Sequence, residues 1–517
     1  MMKMKKVKTK KNSLPNKIAG LLTVILIVCG VVLYASANWC YGRYGNIGFD
    51  AILFTLFSDL HGVESGLVTN YIWDTLLPAL LTALPILLVL LYRPSNSVYL
   101  DYKNKKRIRL YPLSRGTAVI ISLIMCGALL WQASGLVGMK QYVKDSLTDN
   151  HFFEQEYVYP DKTELVFPDE KRNLIYIYLE SMENTFFSAE ENGALEYDAM
   201  PELYALADEN TNFSESGIVG GCRPSSGASW TTGALVAQSA GIPLKLPNSV
   251  NGNDYGKYSD FLPGVITIND ILRENGYYQA FMLGSDKTFG GKSSFYYQHG
   301  VDDIFDYYSA LEDGAIEEGY FVWWGMEDQK LYEYAKEKLT EISNRGGEPF
   351  ALTLLTVDTH FEDGYLCSQC PEGYADQYET VYACASRQLN DFVNWLKEQS
   401  FYDNTVVVVS GDHCSMDTEY MIKKVGDYYE RHIYNCFINS AVEPINEKHR
   451  CFTQYDMFPT TLAAMGVEIK GDRLGLGTNL FSEQMTLAEK YGFDEFNSLI
   501  QMKSKMYEYE FLYDRIE

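Results

Sequence analysis

The stretch 173-NLIYIYLESMEN-184 decides how the rest of the chain is read. Asn173–Leu179 is a continuous apolar run rich in β-branched and aromatic side chains. Such a run suits a strand buried on both faces, as in a parallel sheet covered by helices. It stops at a carboxylate, Glu180. Tyr277–Leu283, Phe350–Val357 and Thr405–Ser410 (TVVVVS) repeat the signature. Between these runs the patterns predict helices over Val265–Glu274, Asp328–Ser343, Thr380–Glu398 and Asp456–Met465, the last with Pro in its first turn. Strands alternating with helices predict an α/β domain with a mostly parallel central sheet flanked by helices.

Working outward, three apolar runs precede this domain. Ile18–Ala37, Thr75–Tyr92 and Thr117–Met139 are each long enough to cross a hydrocarbon core of about 30 Å. The first is read as a retained anchor rather than a cleaved signal, because two more spans follow and no small-residue cleavage site stands out. Residues 1–18 carry seven lysines and no acid, and residues 93–115 carry Arg93, Lys103, Lys105, Lys106, Arg107, Arg109 and Arg115. The excess of Lys and Arg puts both blocks on the cytoplasmic side, and three crossings then leave everything after about Lys140 outside. The apolar piece Phe49–Phe57 is too short to span and is read as interfacial or packed on the other helices. The expected organisation is a membrane domain at 1–140, with spans near 18–37, 75–92 and 117–139. A linker follows at 141–170, a catalytic domain at 171–485 and an acidic, Tyr-rich C-terminal tail at 486–517. Overall the chain has 68 Asp+Glu against 43 Lys+Arg, a net charge of −25, which argues against nucleic acid as a partner.

In open α/β sheets, sites form just beyond the carboxyl ends of the strands. Here those ends run into Glu180, into Asp358-Thr359-His360, and into Gly411-Asp412-His413. A further segment, 227-GASWTTGALVAQSAGIPL-244, delivers Thr231 and Thr232 to the start of a small-residue helix that ends at Gly241-Ile242-Pro243. Unpaired N–H groups and the positive end of the helix dipole favour bound anions and a deprotonated oxygen there. Either threonine could instead serve only as a cap. Taken together, the set suggests one divalent cation held by Glu180, Asp412 and His413, with Thr231 as fourth ligand. Oxygen ligands with one imidazole suit Mn²⁺ or Mg²⁺, with Zn²⁺ also compatible. Thr231 would be the nucleophile of a two-step phosphoryl-group transfer, and His360 the general acid or a phosphate hydrogen-bond donor.

Eight of the ten cysteines fall on the expected outer side. Cys367-Ser-Gln-Cys370 followed by Cys384 invites a zinc reading, but no fourth ligand stands at ribbon-like spacing, and an oxidising compartment favours a bridge. The expectation is that Cys367 or Cys370 pairs with Cys384, with the other pairings open.

With these motifs in hand, the chain resembles the membrane-anchored phosphoglycerol transferases of the alkaline phosphatase/sulfatase superfamily. These include the enzymes that decorate osmoregulated periplasmic glucans and the lipoteichoic acid synthases. The resemblance rests on YLESMENT, WTTGALVAQSAGIPL, KTFGGKSSFYYQHGVDDIFD, WWGMEDQKLYEYA, TLLTVDTHFEDGYL, VVVVSGDHCSM and RLGLGTNLF. It implies Glu180, Asp412 and His413 as metal ligands, Thr231 after Trp230 as nucleophile, and His360 at the substrate. In lipoteichoic acid synthases a segment aligned with LGSDKTFGGK supplies substrate-binding His, Trp and Arg; here Leu283, Gly290 and Lys292 stand in those places. That departure argues against a strict lipoteichoic acid synthase pocket and leaves Lys292, with Ser285 or Asp286, as a phosphate or glycerol contact. The resemblance also implies a multi-pass protein of the bacterial cell membrane with its catalytic domain on the extracellular or periplasmic side. Phosphatidylglycerol would be the donor, and an extracellular glycan or teichoic-acid-type polymer the acceptor.

Three alternatives compete. A sulfatase would use Cys222, but in Cys222-Arg-Pro-Ser-Ser226 a serine stands where the Cys-x-Pro-x-Arg signature needs arginine. A phosphoethanolamine transferase would carry a cysteine-flanked nucleophile segment, which is missing. A non-catalytic ectodomain binding envelope polymer would not need the full ligand set.

Overall fold

The computed structural model describes residues 2–6, 13–45, 48–57, 65–92, 96–101, 107–111, 113–245, 260–426 and 429–512. Of the basic residues read above, Lys8, Lys10, Lys11, Arg93, Lys103, Lys105 and Lys106 lie outside the described residues. The chain divides into two compact units, residues 1–46 with 64–140, and residues 47–63 with 141–517.

In the first unit, α1 (Leu14–Tyr44), α2 (Leu77–Leu91) and α3 (Arg115–Leu136) form the apolar bundle. Three helical stretches, Leu14–Tyr44, Val68–Leu91 and Arg115–Leu136, are long and apolar enough to cross a membrane. Small residues let the backbones approach: a Cβ on Gly30 would stand 3.1 Å from Cys126 Cα. The buried hydroxyls of Thr23 and Ser122 bond back to carbonyls one turn earlier, so no polar group is stranded in the bundle interior by them. Met2–Lys6 pairs antiparallel with Asn96–Asp101, which pairs with Arg107–Tyr111, joining the two basic blocks at one end of the bundle.

The second unit is built on a seven-stranded sheet. Its strands are β1 (Asn173–Leu179), β2 (Gly221–Cys222), β3 (Tyr278–Leu283), β4 (Asp303–Phe305), β5 (Phe350–Leu355), β6 (Thr405–Gly411) and β7 (Ile433–Ile438). They lie in the order β2-β7-β6-β1-β5-β3-β4. The five from β6 to β4 are parallel; at one edge β7 pairs antiparallel with β6, and β2 antiparallel with β7. Every residue of β1 and β6 is buried, as a doubly covered strand requires. Leu174, Tyr176 and Tyr178 face a core shared with α4 (Thr231–Ala240) and α7 (Met457–Ala464). Ile175, Ile177 and Leu179 face one shared with α5 (Asp328–Ser343) and α6 (Gln377–Lys397).

Some sequence expectations shift: the helix expected over Thr380–Glu398 runs Gln377–Lys397, and the second span begins at Val68. Helix Ile268–Glu274 starts three residues later than its apolar pattern, at a Thr267/Asp270 capping box. Residues 141–170 are not a free stalk. Phe152 and Phe153 are buried in the main core, and Leu165–Val166 pairs with Glu468–Ile469, because apolar side chains interrupt the acidic composition. The expected tail is equally integrated: Phe496, Ile500, Tyr507 and Phe511 join the same core.

Candidate active site

The parallel register brings the strand ends together. Leu179 pairs with Gly411 and Tyr178 with Leu355, so Glu180, Thr356 and Asp412 leave the sheet side by side. The backbone N–H of Glu180 donates to Thr356 Oγ1 at 2.9 Å, and that of Asp412 to the Leu179 carbonyl at 3.1 Å. Ser181 turns the chain at φ +53°, and its N–H donates to Asp412 Oδ1 at 2.7 Å. The His413 N–H donates to the same oxygen at 2.7 Å.

Glu180, Asp412 and His413 are all buried, with one donor atom of each within 4.8 Å of the others. His413 Nδ1–H donates to the Cys414 carbonyl at 2.9 Å, which turns Nε2 inward. Nε2 stands 3.6 Å from Glu180 Oε1 and 3.5 Å from Asp412 Oδ2. The two carboxylates conflict. Burial, and then the charge of Glu180, push Asp412 up to about 8. Burial also works against ionised Glu180, but the charges of His413 and His360 outweigh it and hold that group below its ordinary value. Asp412 Oδ2 is buried without a hydrogen-bond partner. Two carboxylates, one inward imidazole and an orphaned carboxylate oxygen form a donor set that fits a divalent cation.

Thr231 is the first residue of α4, with Trp230 at the extended N-cap position and Gly241 closing the helix at φ +65°. Thr231 Oγ1 donates to Glu180 Oε2 at 3.2 Å and lies 3.5 Å from His413 Nε2. Thr232 does not cap the helix; its hydroxyl donates to the Gly290 carbonyl at 3.0 Å. Two glutamines outside the sequence-derived set fix this arrangement. Gln238, in α4, accepts from Tyr176 of β1 at 2.7 Å and donates to the Gly411 carbonyl at 2.9 Å. Gln454 donates to the carbonyls of Ala228 at 2.7 Å and Asp412 at 3.0 Å. A polar residue inside an otherwise apolar helix was a readable signal for Gln238; Gln454 had none.

His360 stands beyond the end of β5, near enough to Glu180 for their charges to interact. Its Nδ1–H donates to the Phe361 carbonyl at 2.7 Å, and its ring lies 4.7 Å from Trp324, which in turn is 5.6 Å from Phe289. Burial, the largest influence, lowers its pKa. Trp324 was inside a quoted motif but carried no assigned role. Lys292 is 4% exposed, its ammonium donates to the Phe289 carbonyl at 2.8 Å, and burial lowers it to about 8 against the attraction of Asp286. Asp286 spends one oxygen on the backbone N–H and hydroxyl of Thr288, each at 2.7 Å. Ser285 is half-buried, and its backbone bridges to Gly325. Cys367 and Cys384, an expected pair, approach to 3.5 Å between sulfurs.

A doubly covered, mostly parallel sheet with an acid–acid–histidine cluster at its strand ends, facing a hydroxyl at a helix start, defines an α/β protein with a metal-type site. The chain belongs to the sulfatase family, whose description matches residues 172–467. It is 32% identical over 412 residues to phosphoglycerol transferase I of Citrobacter koseri, covering 77% of this chain and 49% of that protein. The same figures hold for phosphoglycerol transferase I of Escherichia fergusonii. The chain thus spans about half the length of these curated relatives (49%). Among solved structures it is similar to the lipoteichoic acid synthase LtaP from Listeria monocytogenes, at 20% identity and a TM-score of 0.47, over 64% of this chain and 80% of that one. It is also similar to the integral membrane lipooligosaccharide phosphoethanolamine transferase A (EptA) from Neisseria meningitidis, at 14% identity and a TM-score of 0.49, over 95% and 88%. The assignment stands on the sheet and the family match, not on these two likenesses.

Proposed function

We propose that this membrane protein transfers a glycerol phosphate unit from phosphatidylglycerol to an extracellular glycan or glycerophosphate polymer, through a covalent phosphothreonine ester on Thr231. The observation that carries this reading is the Thr231 hydroxyl, at a helix start and 3.2 Å from Glu180 and 3.5 Å from His413. The similarity to phosphoglycerol transferase I supports the choice of transferred group. A divalent cation held by Glu180, Asp412, His413 and Thr231, with Mn²⁺ preferred over Mg²⁺ or Zn²⁺, would neutralise the buried carboxylates and lower the pKa of the hydroxyl.

In the first step Thr231 Oγ1, its hydroxyl proton released to solvent, attacks the donor phosphorus as the alkoxide, the bond from phosphorus to the diacylglycerol oxygen breaks, and protonated His360 gives its Nε2 proton to that oxygen. In the second, an acceptor hydroxyl attacks the same phosphorus, Thr231 Oγ1 leaves, and His360 takes the acceptor's proton. Its lowered pKa suits the neutral ring of this second step and works against the protonated ring of the first. Lys292, Ser285, Asp286 and Trp230 are assigned to the phosphate and glycerol contacts. The three spans would anchor the chain in a bacterial cell membrane, with the catalytic unit on its outer side.

The sulfatase alternative would require Cys222 as the reacting group. That side chain is fully buried in β2, opposite Ile433, whereas Thr231 meets the acid–histidine cluster. The decisive experiment incubates the full-length protein with phosphatidylglycerol and maps the adduct by mass spectrometry. A glycerophosphate on Thr231 is expected, with turnover falling about 10³-fold or more in Thr231→Ala. An adduct on Thr232 or Ser229, or an active Thr231→Ala variant, refutes the assignment.

A further inference from the structure

A second group of donors lies apart from the acid–histidine cluster. Cys367, Cys370 and Cys384 converge where the loop after His360 meets α6, with their sulfurs within 4.8 Å of one another. Cys367 Sγ stands 3.5 Å from Cys384 Sγ and 3.8 Å from Cys370 Sγ. Thiolates bound tetrahedrally at about 2.3 Å from zinc are separated by roughly 3.8 Å, so the three sulfurs already stand near the corners of such a site. The 367–370 turn also has the form of a metal-binding knuckle. The Cys370 N–H donates to the Cys367 carbonyl at 3.2 Å, and the Gln369 N–H points at Cys367 Sγ at 3.4 Å.

What the spacing lacked was a fourth ligand, and the fold brings one in by helical geometry. Gln388 follows Cys384 by one turn of α6 and is 7% exposed. Its Nε2 lies 3.2 Å from Cys384 Sγ and 3.6 Å from Cys367 Sγ, and its Oε1 is buried with no hydrogen-bond partner. The two ends of an amide are nearly equal in shape, so a half-turn of the group directs its oxygen at the sulfurs.

We propose that Cys367, Cys370 and Cys384, with the Gln388 amide oxygen as fourth ligand, form a structural zinc site that fastens the loop behind His360 to α6. Binding displaces the remaining thiol protons to solvent and moves no electrons. The loop so fastened is the one in which the Tyr365 N–H donates to the Asp358 carbonyl at 2.8 Å, two residues before His360. The site is independent of the proposed transferase chemistry.

The test uses the full-length protein purified in detergent without chelator. In Asp412→Asn, which cripples the acid–histidine donor set, about one zinc per chain is expected to persist, and it is expected to be lost in Asp412→Asn/Cys370→Ser. Exchange with Co²⁺ should produce a thiolate-to-metal charge-transfer band, which oxygen and nitrogen donors alone cannot give. Should the double variant not fold, the cobalt spectrum and non-reducing peptide mapping of the unmutated chain still decide. A Cys367–Cys384 or Cys370–Cys384 disulfide in the isolated protein overturns the proposal. So do three freely alkylated thiols with no charge-transfer band, or zinc retained in the double variant.

Discussion

Asp412 carries a buried like-charge conflict. Its Oδ1 accepts from the backbone of Ser181 and His413, while Oδ2 is buried beside Glu180 without a hydrogen-bond partner. An asparagine keeps the first oxygen as acceptor and removes only the second charge. Asp412→Asn is therefore expected to leave the cation-free protein as stable as the parent, or more so, since a buried like-charge contact disappears. Adding Mn²⁺ at about 100 times its Kd should stabilise the parent by about 2.7 kcal/mol and the variant hardly at all. Thermal unfolding with and without Mn²⁺ measures both, and an equal shift in the variant would falsify the donor set. Glu180, Asp412 and His413 were legible because Glu180 and the Asp412-His413 pair follow apolar strands and parallel strands share one carboxyl edge. The clamping role of Gln454 was not legible because its partners are distant in sequence: Gln454 and the Ala228 carbonyl it holds are 226 positions apart.

At the scale of the element, the loop–helix–turn 227–244 is closed at its neck. The Leu244 N–H donates to the Gly227 carbonyl at 2.9 Å, drawing Pro243 against Gly227. Gly227 has φ +74°, and a Cβ there would stand 2.5 Å from Pro243 Cβ. Gly227→Ala combines left-handed strain with a clash and should cost about 2–4 kcal/mol. Urea denaturation should show the midpoint falling with the slope unchanged; an unshifted midpoint contradicts this packing. The principal strands and helices were readable, because their apolar runs are long and flanked by clear stop signals. Strand β7 was not. Its run Ile433–Ile438 is interrupted by Asn435, whose buried amide bonds the backbone of Phe213 at both of its polar ends. Only the neighbouring chain makes that asparagine compatible with a central strand.

Across the second unit, the stretch expected as a linker and the stretch expected as a tail hold each other through Glu156. Its carboxylate meets Arg473 Nη1 at 3.0 Å, Lys490 Nζ at 2.5 Å and the Tyr491 hydroxyl at 2.6 Å. Burial raises the Glu156 pKa, but these bonds and charges outweigh it and hold it below 4.5. A carboxylate lowered on folding contributes stability that is complete above its unfolded pKa and is lost as pH falls through the folded value. Stability should therefore drop by about 1–3 kcal/mol as acid protonates Glu156. In Glu156→Gln that loss should already be present at neutral pH, and the acid limb of the stability curve should be flatter. Parallel acid limbs in the two proteins would show that Glu156 does not carry the effect.

The sequence by itself determined the class of the fold, the apolar spans and which acids and histidines stand at the strand ends. Each is a local matter of hydrophobic periodicity and of which residue follows a buried run. Only the tertiary structure decided that the Thr231 hydroxyl, not that of Thr232, meets Glu180 and His413, and that Gln388 stands over three sulfurs. It also decided that residues 141–170 and 486–512 belong to one core. Those outcomes depend on contacts between segments tens to hundreds of residues apart, and on the one-turn geometry of a helix whose neighbours the spacing alone does not name.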